Sequence, residues 1–510
     1  MSVVAGLLKK PSWEFLLEWC YLIAISILVS LMISTLFRSM YRSVKSPFPG
    51  PKLAKWTGWW LRWHELRDGI LNTTHRAHRD YGAIVQLSPR MVSFCHPDAI
   101  KDIYTGPRGG LDTTDIVWFF ERYGSQNVVS TVDAQLHLMR RKNVAGLYSS
   151  PIATSPAFQA HIKKSIDALM NEIGAESKSK QLSSWTIDTF PLMRWLTADI
   201  MIGLIYGPEK SLNLLSNPDS RSQMDELLVP TMELISSPLA TMFQWLPLPI
   251  MKLLSPFIIP GSKLTHFGMS LLAIPNINYI ASDSLDHFTA GTTTTADFLS
   301  ALLYQLSIPE NKCHQDKLRQ ELRTLASSAP PGTSTGSIPS SQLQSLPYLN
   351  GVLRETFRIS PPIPFSLPRV VKTKDQDVTV LGMKIDPGTI ISIQPHTLHR
   401  DPKTFPNPEI WDPERWQVPI TSPVHRHMQR MLMPFGYGQR MCTGMNVAWA
   451  IIRQVMARIY IEYETSLDEG IWFEEHRELI FKGEKQEKLR IKKKNLFPEA
   501  GVQPIVFRKV

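Results

Sequence analysis

Cysteine is scarce in this sequence. Its 510 residues include four cysteines, Cys20, Cys95, Cys313 and Cys442, at wide and unequal spacing. A disulfide-rich scaffold needs more cysteines, and a Cys-x-x-Cys zinc site needs closer pairs. Neither kind of site is therefore expected, and so few cysteines agree with a domain in the reducing cytosol.

Charge of one sign is not concentrated either. The 55 Lys and Arg residues outnumber the 45 Asp and Glu residues by only 10, and no pattern of a nucleic-acid-binding module occurs. No nucleic-acid partner is predicted, and the small surplus favours an anionic partner surface. Hydrophobic residues make up 43% of the chain, so a large core is feasible and a mainly disordered chain is excluded.

One long run lacks charge altogether, residues 19–37 with the sequence WCYLIAISILVSLMISTLF. A helix of this length nearly crosses a hydrocarbon layer of roughly 30 Å. Basic residues without any acidic one follow it, so the C-terminal side is expected in the cytosol. A cleaved signal peptide is the alternative, but the run is long for one and no A-x-A-like cleavage site follows.

These features predict four segments along the chain. A short N-terminal segment (1–18) precedes a transmembrane anchor (19–37), and a basic, Pro-rich connector (38–55) leads to one large catalytic domain (56–510). A second apolar stretch at 234–260 contains five prolines and cannot be one spanning helix. A buried core segment and a surface patch that dips into a bilayer both remain open for it.

The fold class is predicted to be mainly α with a small β portion. Helical periodicity marks residues 162–173 and 448–464, and Pro347 is placed to begin a helix that ends near Ser360. Alternation over residues 378–393, around a DPG turn, predicts a short β-meander. The stretch at 327–342, rich in Ser, Pro and Gly, is typical of an exposed loop between helices.

The most informative ten residues are FGYGQRMCTG, at 435–444. Two glycines and a tight turn bring the backbone close to a flat ligand, Arg440 offers a fork for carboxylates, and Cys442 presents a sulfur. The sulfur lies near the start of the next helix, whose dipole and N–H groups favour a thiolate. A glycine turn with a small buried cysteine is the alternative, yet F-x-x-G-x-R-x-C-x-G is met at all five fixed positions.

A second motif, ETFR, lies upstream. Its Glu355 and Arg358 are three residues apart on a helix, so their side chains share one face and can pair. An exposed ion pair of this spacing would be the ordinary interpretation. The segment DPERW, at 412–416, stands between this helix and the cysteine loop and supplies Arg415.

With these motifs the sequence resembles the cytochrome P-450 heme-thiolate monooxygenases over essentially the whole chain, and among them fungal secondary-metabolism members with an N-terminal membrane anchor. The resemblance implies the cytochrome P-450 fold and heme b (iron protoporphyrin IX), with Cys442 as the axial iron ligand. It implies O2 as co-substrate and electrons from NADPH through a separate NADPH–cytochrome P-450 reductase. It also implies a single-pass protein of the endoplasmic reticulum membrane whose catalytic domain faces the cytosol.

The resemblance assigns further roles to particular residues. Arg415 completes a network with Glu355 and Arg358 that holds the cysteine loop. Residues that bind the cofactor, including its propionates, are expected at eight further positions: His137, Arg141, Ala290, Gly291, Arg369, Phe435, Arg440 and Gly444.

The oxygen-activation helix of the family is matched at residues 286–306. The small residues Ala290 and Gly291 would let this helix pass close over the heme and open a groove for O2. Thr294 falls on the catalytic alcohol, whereas Thr293 stands where the family normally has an acid. The alternative for such a run of threonines is hydrogen bonding back to preceding carbonyls.

Proton delivery must then use hydroxyl groups and water. Asp286 and Asp297 are candidate proton sources on the same predicted helix. The missing acid at position 293 also keeps open a heme-thiolate isomerase or dehydratase that needs no O2, and a non-catalytic heme-binding sensor is a third interpretation.

The substrate is expected to be a lipophilic small molecule, such as a terpenoid or a polyketide-derived scaffold. The anchor, the apolar stretch, and Ile363, Phe365 and Leu367 facing the expected pocket support this. The basic residues at 140–142 would steer an acidic reductase, with a solvated helix face as the alternative.

Overall fold

A computed structural model describes residues 46–105, 110–225, 278–328, 338–372, 377–467 and 503–509, with isolated positions between 20 and 34 and between 242 and 253. Most of the predicted anchor, and most of the apolar stretch at 234–260, lie outside the described residues. Within those ranges no helix is both long enough and apolar enough to cross a membrane. The chain divides into two compact units, Met1–Phe94 and Cys95–Val510, and the predicted segment boundaries stay predictions.

The first unit pairs two helices with two short strands. The longer helix, Trp59–Tyr81, bends at Gly69, which has φ 74°, and Gly82 caps its C-terminal end. Buried His78 fastens this helix to a strand, because its two ring nitrogens lie 2.9 Å from the Gly82 carbonyl oxygen and 2.8 Å from Ser93 Oγ. The elements are α1 (Lys52–Trp56), α2 (Trp59–Tyr81), β1 (Ile84–Ser88) and β2 (Met91–Phe94), with the strands antiparallel.

The second unit is built mainly from helices. They are α3 (Pro97–Tyr104), α4 (Ala134–Ala145), α5 (Ser150–Ala153), α6 (Pro156–Lys180), α7 (Thr189–Tyr206), α8 (Asn278–Ser307), α9 (Lys312–Ser327), α10 (Ser340–Ser345), α11 (Pro347–Ile359), α12 (Pro395–Leu398), α13 (Pro423–Arg430) and α14 (Met445–Glu462).

The 30-residue helix α8 runs through the core of this unit. It packs along α7, where Thr197 Oγ1 donates a 3.0 Å hydrogen bond to the Thr292 carbonyl oxygen. Its Phe298 ring stacks on Phe357 of α11 with centroids 3.8 Å apart. A helix buried on nearly all sides is held by such packing rather than by its own propensity.

Small sheets complete the second unit. The strands are β3 (Ser184–Asp188), β4 (Arg369–Val370), β5 (Thr379–Val380), β6 (Met383–Lys384), β7 (Ile390–Ile393), β8 (Tyr463–Leu467) and β9 (Pro504–Lys509). Strand β9 lies between β3 and β8 and is antiparallel to both, while β4 pairs with β7 and β5 pairs with β6. The prediction of a mainly helical fold with a small sheet portion is confirmed.

The predicted β-meander over residues 378–393 is only partly right. Strands β5 and β6 form its hairpin, but β7 leaves it and pairs with β4. The reason lies in the preceding segment, since Leu367 N–H donates to the Ile393 carbonyl oxygen and Val371 N–H donates to that of Thr389. These two hydrogen bonds use backbone carbonyl groups at the end of β7 and just before it, which a meander would need for pairing with β6.

The helix boundaries follow local capping. Helix α11 begins at Pro347 as predicted, and both carboxylate oxygens of Glu321 accept the N–H groups of Tyr348 and Leu349 at 2.8 Å. The loop predicted at 327–342 is shorter than expected, because α9 reaches its first residue and α10 begins at Ser340. Helix α14 ends at Glu462, two residues before the predicted end, because the chain enters β8 there.

Candidate active site

The loop before α14 is shaped by two glycines. Gly436 and Gly438 have φ near 70°, which a residue with a Cβ rarely adopts. A Cβ on Gly438 would also lie 2.0 Å from the carbonyl oxygen of Tyr104. The Cys442 N–H closes the loop with a 2.8 Å hydrogen bond to the carbonyl oxygen of Phe435. The loop therefore holds the cysteine in one position without any help from its side chain.

The Cys442 side chain is exposed, although protein surrounds it. Burial raises the pKa of its thiol, against the opposing effect of the Gly444 and Met445 N–H groups and the Arg141 guanidinium. The helix start therefore acts on the sulfur as predicted, but the effect of burial is larger. An accessible sulfur deep in the protein lies on the wall of an internal space, and a bound metal would deprotonate it outright.

Cations converge beside this space. His137 is buried, and its pKa is lowered to about 3 by burial and by the positive charges of Arg440, Arg141 and Arg369. Within the described parts of the chain, none of the three arginines forms an ion pair. Arg440 Nη2 donates to the Val132 carbonyl oxygen at 2.8 Å, while its buried Nε has no partner among the described residues.

This donor set fits heme b. Arg141 reaches from α4 to hydrogen-bond the Met441 carbonyl oxygen beside the cysteine, and the Arg369 guanidinium lies over the ring of Tyr104. A heme offers an iron for the sulfur and two propionates for uncompensated guanidinium groups. The residues predicted from the cysteine motif and those predicted from α4 and β4 thus meet at one place.

The face of α8 that holds Ala290 borders an accessible space. Ala290 is exposed although it lies in the middle of a core helix, and Thr294, one turn later, is half-buried. Thr294 Oγ1 donates to the Ala290 carbonyl oxygen at 2.7 Å, and Thr293 Oγ1 donates to that of Thr289 at 2.9 Å. Both hydroxyls therefore bond back along the helix, and their lone pairs remain available as acceptors.

The surroundings of Gly291 differ from the open groove that the resemblance implies. A Cβ at this position would lie 2.4 Å from Cε of Met201 on α7. The space that a side chain at position 291 would need is thus filled by Met201. Gly291 is half-buried, and Ala290 is the more exposed of the two small residues.

Two acids accompany this helix face. Asp286 lies one turn before Ala290, is buried, and has an Oδ2 atom with no partner among the described residues. Burial raises its pKa to about 7, opposed by Arg122 and reinforced by Asp283. Burial also raises the pKa of Asp297 to about 6. Both carboxyl groups can therefore carry a proton near neutral pH.

Sequence patterns give no indication of two residues next to these acids. The Tyr148 hydroxyl and His287 Nδ1 share a 2.8 Å hydrogen bond, which joins the segment after α4 to α8. The two residues are 139 positions apart, and neither belongs to a recognisable motif. Only the packing of the helices brings them together.

A buried charge network lies between α11 and residues 412–416. Arg358 donates to both oxygens of Glu355 at 2.9 and 2.7 Å, and Arg415 Nε donates to Glu355 Oε1 at 3.1 Å. Trp416 Nε1 and the backbone N–H of Asp412 complete the carboxylate's partners. Burial opposes ionisation of Glu355, but the two arginines and these hydrogen bonds keep its pKa below the usual value. The three predicted members of the network are therefore in contact.

His399, which no sequence motif had indicated, connects this network to the cysteine loop. Its Nε2 accepts the Met433 N–H at 2.9 Å, and its Nδ1 lies 3.2 Å from the carbonyl oxygen of Arg358. A carbonyl oxygen only accepts, so Nδ1 carries the proton. Burial and two arginines lower the pKa of His399 to about 3, so the ring stays neutral in this role.

The remaining predicted residues differ in their exposure and in their neighbours. Ile363 and Phe365 are exposed, and Leu367 lies beside Gly436 of the cysteine loop. Arg140 does not face outward, because it donates to Thr131 Oγ1 and lies over the ring of Tyr279. With Arg141 also turned inward, Lys142 is the exposed member of the predicted basic group.

Removing the negative charge of Glu355 should destabilise the folded protein. We expect Glu355→Gln to lower the free energy of unfolding by roughly 3–5 kcal/mol, because it leaves buried guanidinium groups without their counter-charge. Urea denaturation measures this. The control is Asp377→Asn, an exposed partner of Lys384, which should leave it nearly unchanged. Equal effects of the two changes would refute the special weight of the network.

The raised pKa of Asp286 predicts a pH dependence of stability. The folded state holds this proton up to about pH 7, whereas the unfolded state loses it near pH 4, so the free energy of unfolding falls as pH rises between these values. In Asp286→Asn this decline should be smaller. In Asp377→Asn it should remain, because Lys384 lowers the pKa of that exposed carboxyl. Denaturation midpoints from pH 4 to 8 provide the measurement, and an unchanged slope in Asp286→Asn would contradict the assignment.

Comparison with known proteins agrees with this geometry. Residues 275–491 match the family model described as Cytochrome P450. The chain is 27% identical to the cytochrome P450 monooxygenase cpaH of Aspergillus oryzae, over 86% of both chains. It is 26% identical to vrcB of Aspergillus aculeatus, over 81% of this chain and 87% of the relative, and to astB of Aspergillus terreus, over 82% and 85%. Both are also named cytochrome P450 monooxygenases, and the chain is accordingly an oxidoreductase, a monooxygenase similar to the cytochrome P450 enzymes.

Proposed function

We propose that the protein is a heme-thiolate monooxygenase that inserts one oxygen atom of O2 into a lipophilic small molecule. One observation carries the proposal. The sulfur of Cys442 and three guanidinium groups around His137, none of them in an ion pair among the described residues, face one internal site. That combination suits a metal porphyrin with two carboxylates.

The protein's part in the reaction is to bind, orient and supply protons. When bound, heme supplies the redox-active iron at which O2 is reduced by two electrons. Cys442 would supply the sulfur ligand of the iron, and the N–H groups of Gly444 and Met445 favour its thiolate form. The arginines at positions 141, 369 and 440 would hold the propionates of a bound heme.

Proton supply is proposed to pass along the exposed face of α8. The Thr294 hydroxyl donates to Ala290 and can accept a hydrogen bond from water. Asp286, two turns before Thr294, and Asp297, about one turn after it, are the groups on this helix that hold a proton near neutral pH. These two carboxyl groups are proposed to replace the acid that the family normally has at the position of Thr293.

The substrate and the pathway are inferred from the surroundings of the site. The apolar side chains of Ile363, Phe365 and Leu367 alternate along the chain and end beside the cysteine loop. The similar proteins cpaH, vrcB and astB come from fungi of the genus Aspergillus, so a terpenoid or polyketide-derived compound of fungal secondary metabolism is proposed as substrate. Among the described residues no observation favours an isomerase, a dehydratase or a sensor.

The electron source and the location are also proposals. Electrons are proposed to come from NADPH through a separate NADPH–cytochrome P-450 reductase, as the resemblance to the cytochrome P-450 monooxygenases implies. The uncharged run at 19–37 is proposed to anchor the chain in the endoplasmic reticulum membrane with the catalytic domain in the cytosol.

The sulfur ligand is tested by spectroscopy. The reduced protein with carbon monoxide should show the red-shifted Soret band of thiolate ligation, and Cys442→Ala should abolish that band. Cys313→Ala is the matched control, since Cys313 is an exposed cysteine on α9 and should not affect the band. A normal band in Cys442→Ala would mean that the ligand is misassigned.

The Thr294 hydroxyl is tested by coupling. In Thr294→Ala, NADPH should still be consumed while product per NADPH falls several-fold and peroxide release rises, because water near Ala290 loses its hydrogen-bonding partner. Thr294→Ser keeps the hydroxyl and should retain most of the coupling. Wild-type coupling in Thr294→Ala would show that protons arrive by another route.

A further inference from the structure

A tyrosine and a histidine that have no role in the proposed reaction lie together beside the cysteine loop. Tyr148 is buried, and its hydroxyl oxygen lies 2.8 Å from Nδ1 of His287 on α8. The two rings meet edge to face, with their centroids 5.1 Å apart. The side-chain amide of Asn446 on α14 donates to the Tyr148 carbonyl oxygen at 3.2 Å. Residues of two helices therefore fix the position of this tyrosine.

The Tyr148 ring lies close to the sulfur of Cys442. A Cβ atom added to Gly444 would lie 3.9 Å from Cys442 Sγ and 3.9 Å from Cδ1 of Tyr148. Because both atoms are that near to one point, they are at most about 8 Å apart. Burial raises the pKa of the phenol, and Cys442 is among the groups that raise it further. An oxidisable ring thus lies near the atom that is proposed to bind the iron.

The tyrosine and the histidine of this pair are both uncharged. The raised pKa of Tyr148 keeps the proton on the phenol. Burial lowers the pKa of His287, which keeps the imidazole neutral. The phenol O–H group then donates to Nδ1 whenever Nδ1 carries no proton. The hydrogen bond therefore joins a proton donor to a base that can accept the proton.

Asp283 supports proton transfer to His287. It lies four residues earlier on α8, so the two side chains are neighbours on one helix face. Asp283 is buried, and its Oδ1 accepts the N–H of Val128 at 2.9 Å. Its charge opposes the effect of burial on the pKa of His287. A carboxylate beside a histidine stabilises the imidazolium that forms when the ring takes up a proton.

We propose that Tyr148 is a redox-active residue that returns one electron to an oxidised heme site when no substrate is bound. The phenol O–H bond breaks and its proton forms a new N–H bond at His287 Nδ1. Tyr148 becomes a neutral phenoxyl radical, and the heme site is reduced by one electron. This discharge spares the sulfur of Cys442, since oxidation of a thiolate beyond the sulfenic acid is irreversible. The inference rests on the proposed heme-thiolate function.

Two other tyrosines each meet one of the two conditions and so provide matched controls. The hydroxyl of Tyr348 lies 2.9 Å from Nδ1 of His314, but this tyrosine interacts with Cys313 and belongs to the start of α11. Tyr206 interacts with Tyr148, but its buried hydroxyl has no hydrogen-bond partner among the described residues. The pair at positions 148 and 287 combines a base with proximity to the cysteine ligand.

Freeze-quench EPR spectroscopy of the full-length ferric holoprotein tests the proposal. The protein is mixed with peracetic acid without substrate and frozen within milliseconds. The peracid is reduced to acetic acid and oxidises the heme site by two electrons, so one electron from Tyr148 leaves a radical on the protein. Ring-deuterated tyrosine narrows the signal of a tyrosyl radical and so identifies it. The yield is expressed per heme that gives the carbon monoxide band of thiolate ligation, so that a loss of folded protein does not count.

The wild-type protein should give a tyrosyl radical whose yield falls at least several-fold in Tyr148→Phe. The yield should also fall in His287→Gln, because glutamine forms hydrogen bonds but is not a base. It should stay at the wild-type value in Tyr348→Phe and in Tyr206→Phe. A Tyr148→Phe yield equal to that of these two controls would overturn the proposal, and an unchanged yield in His287→Gln would overturn the proton transfer to the imidazole.

The carbon monoxide band separates this inference from the proposed function. If the wild-type protein gives the thiolate band but no tyrosyl radical, this inference is overturned and the heme-thiolate site survives. If the band itself is absent, the proposed function fails and the inference fails with it.

Discussion

The contact on which the site depends is the buried ion network around Glu355. Glu355 and Arg358 have no solvent-accessible surface, and a buried charge is tolerated only when its partners are complete. Here the carboxylate receives two arginines, an indole N–H and a backbone N–H, while Arg358 also donates to the carbonyl oxygens of His399 and Ile410. The network therefore fixes the path of the chain between α11 and the cysteine loop.

His399 extends this constraint toward the sulfur. A neutral ring that donates to Arg358 and accepts from Met433 ties the start of the cysteine loop to the network. The loop itself is closed by the hydrogen bond from Cys442 to Phe435, and its two left-handed glycines leave few alternative conformations. The fixed position of Cys442 is thus a property of the loop backbone.

Positive charge is concentrated at the site. Arg141, Arg369 and Arg440 act together on His137, and burial lowers the pKa of each guanidinium. Positively charged groups that lie close together repel one another. A ligand with two carboxylates would reduce this repulsion. The thiol of Cys442 shows the complementary effect, since burial raises its pKa and a bound metal would reverse this.

The sequence by itself determined the features that depend on neighbouring residues. The start of α11 at Pro347, the pairing of Glu355 with Arg358, and the glycine-rich cysteine loop follow from spacing and from backbone chemistry within a few residues. The mainly helical class follows from periodicity in the same way. These are local properties, so one chain segment is enough to specify them.

Tertiary structure decided what depends on distant segments. Only packing turned Gly291 toward Met201, joined β7 to β4 instead of β6, and brought His399 between Arg358 and Met433. Only burial raised the pKa of Asp286, which the sequence shows as an ordinary aspartate. The desolvation of a residue and the direction of its side chain depend on which surfaces pack together. The hydrophobic pattern of the sequence alone does not specify that packing.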